Sequence, residues 1–414
     1  METMNSIDDV LQKGNRPPNV VDYILLEKIG LDSLPVDTKD YIALLTQRRE
    51  DILNALDDLS EDPQKILEVE NTLIPGNLKY AVQTSPFFEE LYREVDLDLI
   101  TTREDLQKLP VMTNDHLRDP NNFPEGALGI WTDNNPWMVK MSGGSTGDPA
   151  YIGFSEIDSE VTHLVFGHAL RKATGAKPGD KMLLFVPGES HPFGTACEEA
   201  ARRIGVVPIY RHFVKGRSTD GLLGQIKEVK PDIIAAAPIG PKGAAGTLTK
   251  LYENDLINGT NIFRDYLNEK TIITGGAPIP KNLVNQLYDK GVGQIINAYG
   301  SVQTWGGFGA EPLPKEPRED NVEFYSDVSM PPGYWIVNSI EPSDAPSDWE
   351  DITFTVLGRS CQPIIRYAPG DYAKVTKNGG IIFDICRSEF FKPQTDGTYE
   401  VKISDDCNTC ISDV

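Results

Sequence analysis

Cysteine, positive charge and long apolar runs are all scarce in this chain of 414 residues. Its five cysteines, an odd number, do not make a disulfide framework and predict reduced thiols in a cytoplasmic protein. No apolar run approaches the roughly 18 residues of a membrane helix, and Met1–Asp9 lacks the pattern of a secretory signal, so we expect no membrane association. Lys and Arg number 39 against 62 Asp and Glu, a net charge of −23. This balance disfavours nucleic acid as a partner, although a few backbone N–H groups could still hold a small nucleotide.

The residue pattern divides the chain into four stretches. The pattern predicts a helical segment over residues 1–115, packed on the core, because apolar residues recur every three or four positions in Tyr41–Leu59 and Asp62–Leu73. Residues 116–320 alternate short apolar runs with helical patterns, which favours an α/β core with a mostly parallel sheet flanked by helices. The runs are Lys181–Val186, Val206–Tyr210, Asp232–Ala236, Thr271–Thr274 and Gln294–Ala298. Residues 321–390 predict a smaller β-rich, barrel-like subdomain, and 391–414 a short tail.

A run of glycines and hydroxyl residues is the strongest local signal in the sequence. It reads Ser142, Gly143, Gly144, Ser145, Thr146 and Gly147, followed by Asp148 and Pro149. Glycines let the backbone turn N–H groups toward an anion, and hydroxyls donate further hydrogen bonds, so the run is a candidate phosphate-binding loop. Taken alone, an ordinary surface turn is the commoner explanation.

Three further turns follow predicted strands, where ligands of open α/β sheets lie. The first contains Gly275, Gly276, Ala277 and Pro278, and the second Ala298, Tyr299, Gly300 and Ser301. The third ends the run Arg366–Asp371, and the Asp371 carboxylate could accept hydrogen bonds from a diol such as ribose. Each is individually explained as a structural turn, but their order along the chain is informative.

The succession resembles the adenylate-forming (ANL) superfamily of acyl and aryl ligases, most closely its phenylacetate–CoA ligase branch. Five segments are similar to family motifs in the family's order: Ser142–Pro149, Gly275–Pro278, Tyr299–Gln303, Arg366–Asp371 and Cys386–Glu389. Ser85–Phe88 and Leu106–Arg118 resemble the entry segment of that branch. The resemblance implies an ANL-type large N-terminal domain with mostly parallel sheets, in which 116–320 binds nucleotide and acyl group.

What the resemblance implies about function is ATP-dependent activation of a small, aromatic carboxylic acid as its adenylate. It assigns nucleotide binding to Ser142–Gly147, Gly276, Ala277, Pro278, Ala298, Tyr299, Gly300, Ser301, Asp371 and Arg387, and catalytic positions to Thr146 and Gln303. It assigns the acid to His191, Phe193, Ala237, Pro238 and Gly275. ATP and Mg²⁺ are the implied cofactors, with the metal ligands left unknown. The acyl acceptors it implies are CoA, a carrier-protein thiol or an amine, and branch members are often homodimers.

Four departures from the family pattern leave alternatives open. Asp148 and Asn114 replace lysines, Gln303 replaces an acidic residue, and few residues follow Arg387, where the family has a mobile C-terminal domain bearing a catalytic lysine. Transfer would then depend on a separate partner resembling that domain. A second hypothesis is a non-catalytic nucleotide or acyl-adenylate binding protein. A third is an acyl-protein synthetase that acylates a partner's cysteine or its own Cys407 or Cys410.

Overall fold

Helices dominate the N-terminal part of the chain and recur between the later strands. The structure, a computed structural model, describes residues 2–119, 137–141, 150–186, 192–210, 219–238, 246–275, 279, 281–304, 309–313, 315, 326–328, 331, 333–340, 350–375, 381–383, 391–393 and 399–401. The α-helices of the described residues are α1 (Ile7–Gln12), α2 (Val20–Tyr23), α3 (Thr38–Gln47), α4 (Arg49–Ser60), α5 (Pro63–Thr84), α6 (Pro86–Leu91), α7 (Asn114–Arg118), α8 (Glu156–Thr174), α9 (Pro192–Arg203), α10 (Thr219–Val229), α11 (Thr247–Asn258), α12 (Ile262–Tyr266) and α13 (Lys281–Asp289). Within these described ranges, every helix is too short or too polar to cross a membrane.

The strands form two large sheets and three two-stranded ones in the described chain. They are β1 (Thr3–Met4), β2 (Leu34–Pro35), β3 (Met112–Thr113), β4 (Met138–Met141), β5 (Tyr151–Phe154), β6 (Lys181–Phe185), β7 (Val207–Tyr210), β8 (Ile233–Ala236), β9 (Thr271–Gly275), β10 (Gln294–Tyr299), β11 (Gly309–Pro312), β12 (Ser326–Val328), β13 (Trp335–Ser339), β14 (Glu350–Val356), β15 (Ile364–Ala368), β16 (Tyr372–Val375), β17 (Ile381–Phe383), β18 (Phe391–Pro393) and β19 (Tyr399–Val401).

The central sheet is parallel except at one edge. Its order is β11-β10-β9-β8-β6-β7, and β11 alone runs antiparallel to its neighbour. Met182 and Leu184 of β6 join one hydrophobic core, whereas Leu183 and Phe185 join a second core on the opposite face. A strand buried on both faces is apolar throughout, which explains why the short apolar runs predict strands correctly. The predicted α/β class is confirmed.

The second large sheet positions the C-terminal part of the site. Its order is β12-β17-β16-β14-β15-β3, with β13 also paired to β14. All pairs are antiparallel except β15 with β3, which places Ala368 opposite Thr113. Asp371 lies in the turn between β15 and β16. The division of the chain at residues 115, 320 and 390 stays a prediction.

The N-terminal helices differ in two places from their predicted bounds. The periodic stretch Tyr41–Leu59 is divided at Arg48, whose backbone leaves the helical conformation between α3 and α4. Helix α5 begins after Asp62, whose carboxylate accepts hydrogen bonds from the N–H groups of Gln64 and Lys65. It then continues through Pro75 to Thr84, well beyond the predicted end, because buried side chains on both sides of the proline hold it against the core.

Candidate active site

The carboxyl ends of β9 and β10 bring three predicted site residues into contact. Gly275 and Ala298 are direct neighbours in the parallel register. The ring of Phe193, at the start of α9, lies over Gly275, where an added Cβ would be 2.6 Å from Phe193 Cε2 and 2.9 Å from the Ala298 carbonyl oxygen. Gly275 is therefore required by the close approach of the ring and of the neighbouring strand.

Two residues from distant motifs meet just beyond β10. The Tyr299 hydroxyl donates a hydrogen bond of 2.5 Å to Asp371 Oδ2, although 72 positions separate the two residues. The Tyr299 ring stacks on Phe354, with centroids 5.9 Å apart. Burial raises the pKa of the Asp371 carboxyl, and the Tyr299 hydrogen bond opposes that rise.

Asn114 connects three segments around this pair. Its Oδ1 accepts hydrogen bonds from the Tyr367 hydroxyl at 2.6 Å and from Gln303 Nε2 at 3.4 Å. Its Nδ2 donates to the Pro369 carbonyl at 3.3 Å. The start of α7 explains the placement: Thr113 is the N-cap, its N–H donates to His116 Nδ1 at 3.0 Å, and α7 begins at Asn114. One amide thus fixes the turn that carries Asp371 relative to Gln303.

The segment after Tyr299 forms a compact turn. Ser301 and Thr304 exchange hydrogen bonds, the N–H of each donating to the hydroxyl of the other at 3.3 Å. Between them, Gln303 is buried, with its side chain directed to Asn114. Gly300 joins this turn to β10. The predicted site positions between 298 and 303 therefore lie at the end of β10 and in the turn after it.

Of the other predicted residues, two follow β8, the parallel neighbour of β9, and the rest fall outside the described residues. Ala237 and Pro238 follow β8, and their carbonyls accept hydrogen bonds from Leu248 N–H and Gly246 N–H at the start of α11. Ser142–Gly147, Gly276–Pro278, His191 and Arg387, with Cys407 and Cys410, fall outside the described residues. The roles assigned to them stay predictions.

A buried polar segment behind the site was missed by sequence reasoning. Arg359, Ser360, Cys361 and Gln362 are each at most 3% exposed. The Asp158 carboxylate, at the start of α8, accepts hydrogen bonds from the N–H groups of Ser360 and Cys361 and from the Ser360 hydroxyl. A polar run between two apolar strands normally predicts an exposed turn, so the pattern gives no signal of burial.

The donor groups of the site bear on metal binding. Among the described residues, no group of three or more His, Cys, Asp or Glu side chains is arranged to hold a metal ion. At Gln303 the donor is an amide already bonded to Asn114, which is a poorer Mg²⁺ ligand than a carboxylate. The described residues therefore form no all-protein cage for a metal ion, whereas Mg²⁺ usually binds through one or two carboxylates together with substrate phosphates.

Both histidines of α8, His163 and His168, are buried. Burial, with Arg203 and Lys140 nearby, lowers the pKa of His163 to about 3. His168 Nε2 lies 3.0 Å from Asp57 Oδ1 of α4. Both side chains are thus used in packing α8 against its neighbours.

The fold is similar to that of a solved acyl-CoA ligase. The chain superposes on 2-hydroxyisobutyryl-CoA ligase, solved with 2-HIB-AMP and CoA, with a TM-score of 0.63 and 16% identity over 78% of this chain and 68% of the other. The same ligase in its postadenylation state gives a TM-score of 0.63 at 14% identity, over 82% of this chain and 70% of that one.

In sequence, the chain is similar to phenylacetate–coenzyme A ligases, as the motif order predicts. It is 24% identical to the Pseudomonas putida enzyme over 306 residues, 72% of this chain and 64% of that enzyme. It is 23% identical to the Thermus thermophilus enzyme over 319 residues, 76% of this chain and 66% of that one. The chain thus spans slightly less than two thirds of the length of these relatives. No family model matches the chain.

Proposed function

We propose that this protein activates a small carboxylic acid as its acyl-adenylate and passes the acyl group to the thiol of CoA. The observation that carries the proposal is the 2.5 Å hydrogen bond between Tyr299 and Asp371, residues that the motif order assigns to one nucleotide site. Among the described residues, no second donor reaches the Asp371 carboxylate, so it retains lone pairs for the hydroxyls of a ribose. The ligases to which the chain is similar support the reaction class.

In the proposed first step, a carboxylate oxygen of the acid attacks the α-phosphorus of ATP. An acyl–phosphate bond forms, the bond between the α- and β-phosphates breaks, and pyrophosphate leaves with the electron pair. In the second step, a thiol attacks the acyl carbonyl and AMP leaves. The protein contributes positioning and charge stabilisation: Asp371 holds the ribose, Tyr299 lies beside the base, and Phe193 with Gly275 borders the acid.

Release of pyrophosphate tests the first step. The full chain, ATP and Mg²⁺ are mixed with a panel containing phenylacetate and 2-hydroxyisobutyrate, and pyrophosphate is measured with Asp371→Asn as the matched variant. We expect acid-dependent release by the wild type and a loss of about 10-fold or more in the variant, which lacks the charged acceptor. No release with any acid of a broad panel contradicts the proposal.

A second function, nucleotide binding without turnover, is favoured by one contact. Asn114 and Gln303 present neutral amides to each other at 3.4 Å where the family pattern has charged residues. Exchange of labelled pyrophosphate into ATP separates the two functions, since a non-catalytic protein binds AMP in calorimetry but shows no exchange. The proposal includes CoA as the acyl acceptor, a homodimer and a cytoplasmic location.

A further inference from the structure

A small cavity lies between four helices, away from the candidate active site. Its volume is about 250 Å³, and α3, α4, α8 and α9 supply the side chains that line it: Leu45, Thr46, Arg49, Glu160, Leu164 and Arg203. Arg203 ends α9, and Phe193, which borders the candidate active site, lies near the start of the same helix, so helix geometry separates the two by about 15 Å. The cavity is therefore distinct from the site at the ends of β9 and β10.

The inner part of the cavity is apolar and its outer part is polar. Leu45 and Leu164 are 1% and 2% exposed, whereas Thr46 is exposed and Arg49 is half-buried. An apolar cavity of about 150 Å³ is large enough to hold a benzene molecule. The space between these helices can therefore take one aromatic ring, or an aliphatic group of similar size, together with a small polar group.

One charged pair in the cavity wall is already matched. Arg203 donates to Glu160 Oε2 through Nε at 3.0 Å and also through Nη2. Its Nη1 donates to Glu199 Oε2 at 3.0 Å. A cationic ligand would have to compete with this guanidinium for the Glu160 carboxylate, so the pair does not favour a cation in the cavity.

The Arg49 guanidinium, in contrast, has an unused donor. Its Nε is buried and, within the part of the chain that the structure describes, has no hydrogen-bond partner. The two acidic residues that follow it in α4 lie against other arginines, Glu50 against Arg171 and Asp51 against Arg48. A buried donor without a partner is unfavourable, so an anion that reaches this guanidinium gains a charge-assisted hydrogen bond.

We propose that this cavity binds a small organic carboxylate, with its apolar body against Leu45 and Leu164 and its carboxylate on Arg49. A planar guanidinium matches the geometry of a carboxylate. A phosphate fits less well, because its second negative charge would lie near the Glu160 carboxylate. The inference is independent of the proposed function, since none of the lining residues belongs to the candidate active site.

Binding of para-fluorobenzoate to the full chain, followed by fluorine NMR, tests the inference. The probe has one ring and one carboxylate, and each site that it occupies gives its own bound signal, so a second molecule in the candidate active site is resolved. Para-fluorobenzamide has a similar shape without the charge. Arg49→Gln removes the guanidinium, and Arg49→Lys keeps a positive charge. Arg48→Gln is the matched control, since Arg48 is the adjacent arginine, pairs with Asp51 and does not line the cavity.

We expect the wild type to show a bound signal whose Kd rises about tenfold or more in Arg49→Gln and by less in Arg49→Lys. Arg48→Gln should keep the wild-type Kd, and para-fluorobenzamide should bind about tenfold more weakly than para-fluorobenzoate. Thermal melting confirms that each variant is folded. The same Kd in the wild type and in folded Arg49→Gln, an equal loss in Arg48→Gln, or no bound signal in the wild type overturns the inference. A failure to release pyrophosphate would refute the proposed function and leave these outcomes unchanged.

Discussion

Replacing Tyr299 with phenylalanine removes the hydroxyl that bonds Asp371 and keeps the ring that stacks on Phe354. Burial already raises the pKa of the Asp371 carboxyl, and the Tyr299 hydrogen bond is the interaction that lowers it. Without that bond the charged carboxylate is less favourable, so its pKa rises further in the variant. The ionised carboxylate is the stronger acceptor for ribose hydroxyls, since a protonated carboxyl loses part of its accepting capacity.

The sign of the pH effect follows from this coupling. A raised pKa means that Asp371 takes up a proton at a higher pH than an ordinary aspartate, so AMP affinity falls as the pH drops through that value. In Tyr299→Phe the fall begins at a higher pH. A hydrogen bond to a charged group contributes about 1.5–3 kcal/mol, so between the two pKa values the Kd of the variant should exceed that of the wild type about tenfold or more. At a pH above both values, the two constants should converge.

Calorimetric titration with AMP from about pH 5 to pH 8 measures the effect. Tyr288→Phe is the control, because its hydroxyl donates to the Leu313 carbonyl at 2.6 Å, away from Asp371. We expect the control to reproduce the wild-type profile. Superimposable profiles for Tyr299→Phe and the wild type would refute the reasoning that this hydroxyl stabilises the ionised carboxylate.

Two further predictions concern packing. Gly275→Ala should lower the free energy of unfolding by about 1–3 kcal/mol, because the new Cβ would overlap Phe193. Gly224→Ala, at an exposed position of α10 with open space around it, should raise the free energy of unfolding by about 0.5–1 kcal/mol. Urea titration measures both, and equal effects would contradict the close approach. Cys197 and Cys361 should resist a thiol reagent in the native protein, since burial blocks access and raises the pKa of both thiols, that of Cys361 to about 12. Peptide mass spectrometry checks this, and labelling as fast as in urea would contradict it.

The sequence predicts an element well when burial alone determines its residue pattern. The run Lys181–Val186 contains β6, and Thr271–Thr274 lies within β9, because a strand covered on both faces must be apolar throughout. Motif order also placed Tyr299 and Asp371 in one site, and in the structure they are hydrogen-bonded. Their roles in nucleotide binding remain predictions.

Features that escape prediction depend on partners far along the chain. Helix α5 continues through Pro75, against its local propensity, because burial on both sides of the proline outweighs the lost hydrogen bond. Arg359 is hidden because its partners, Gly153 and Gln303, lie 206 and 56 positions away. Local pattern cannot report that a charged side chain between two strands is enclosed by segments from elsewhere.

Two of the departures from the family pattern, Asn114 and Gln303, are related in the structure, and their distance along the chain gives no sign of this. Asn114 and Gln303 are 189 positions apart, and in sequence they count as two independent losses of charge. In the structure their side chains are hydrogen-bonded, and Asn114 additionally holds the turn before Asp371. A single charged residue here would face a neutral partner in a part-buried setting, which is unfavourable, whereas the two amides are hydrogen-bonded to each other. The neutral pair is therefore one structural feature, and any test of turnover must treat Asn114 and Gln303 as a coupled unit.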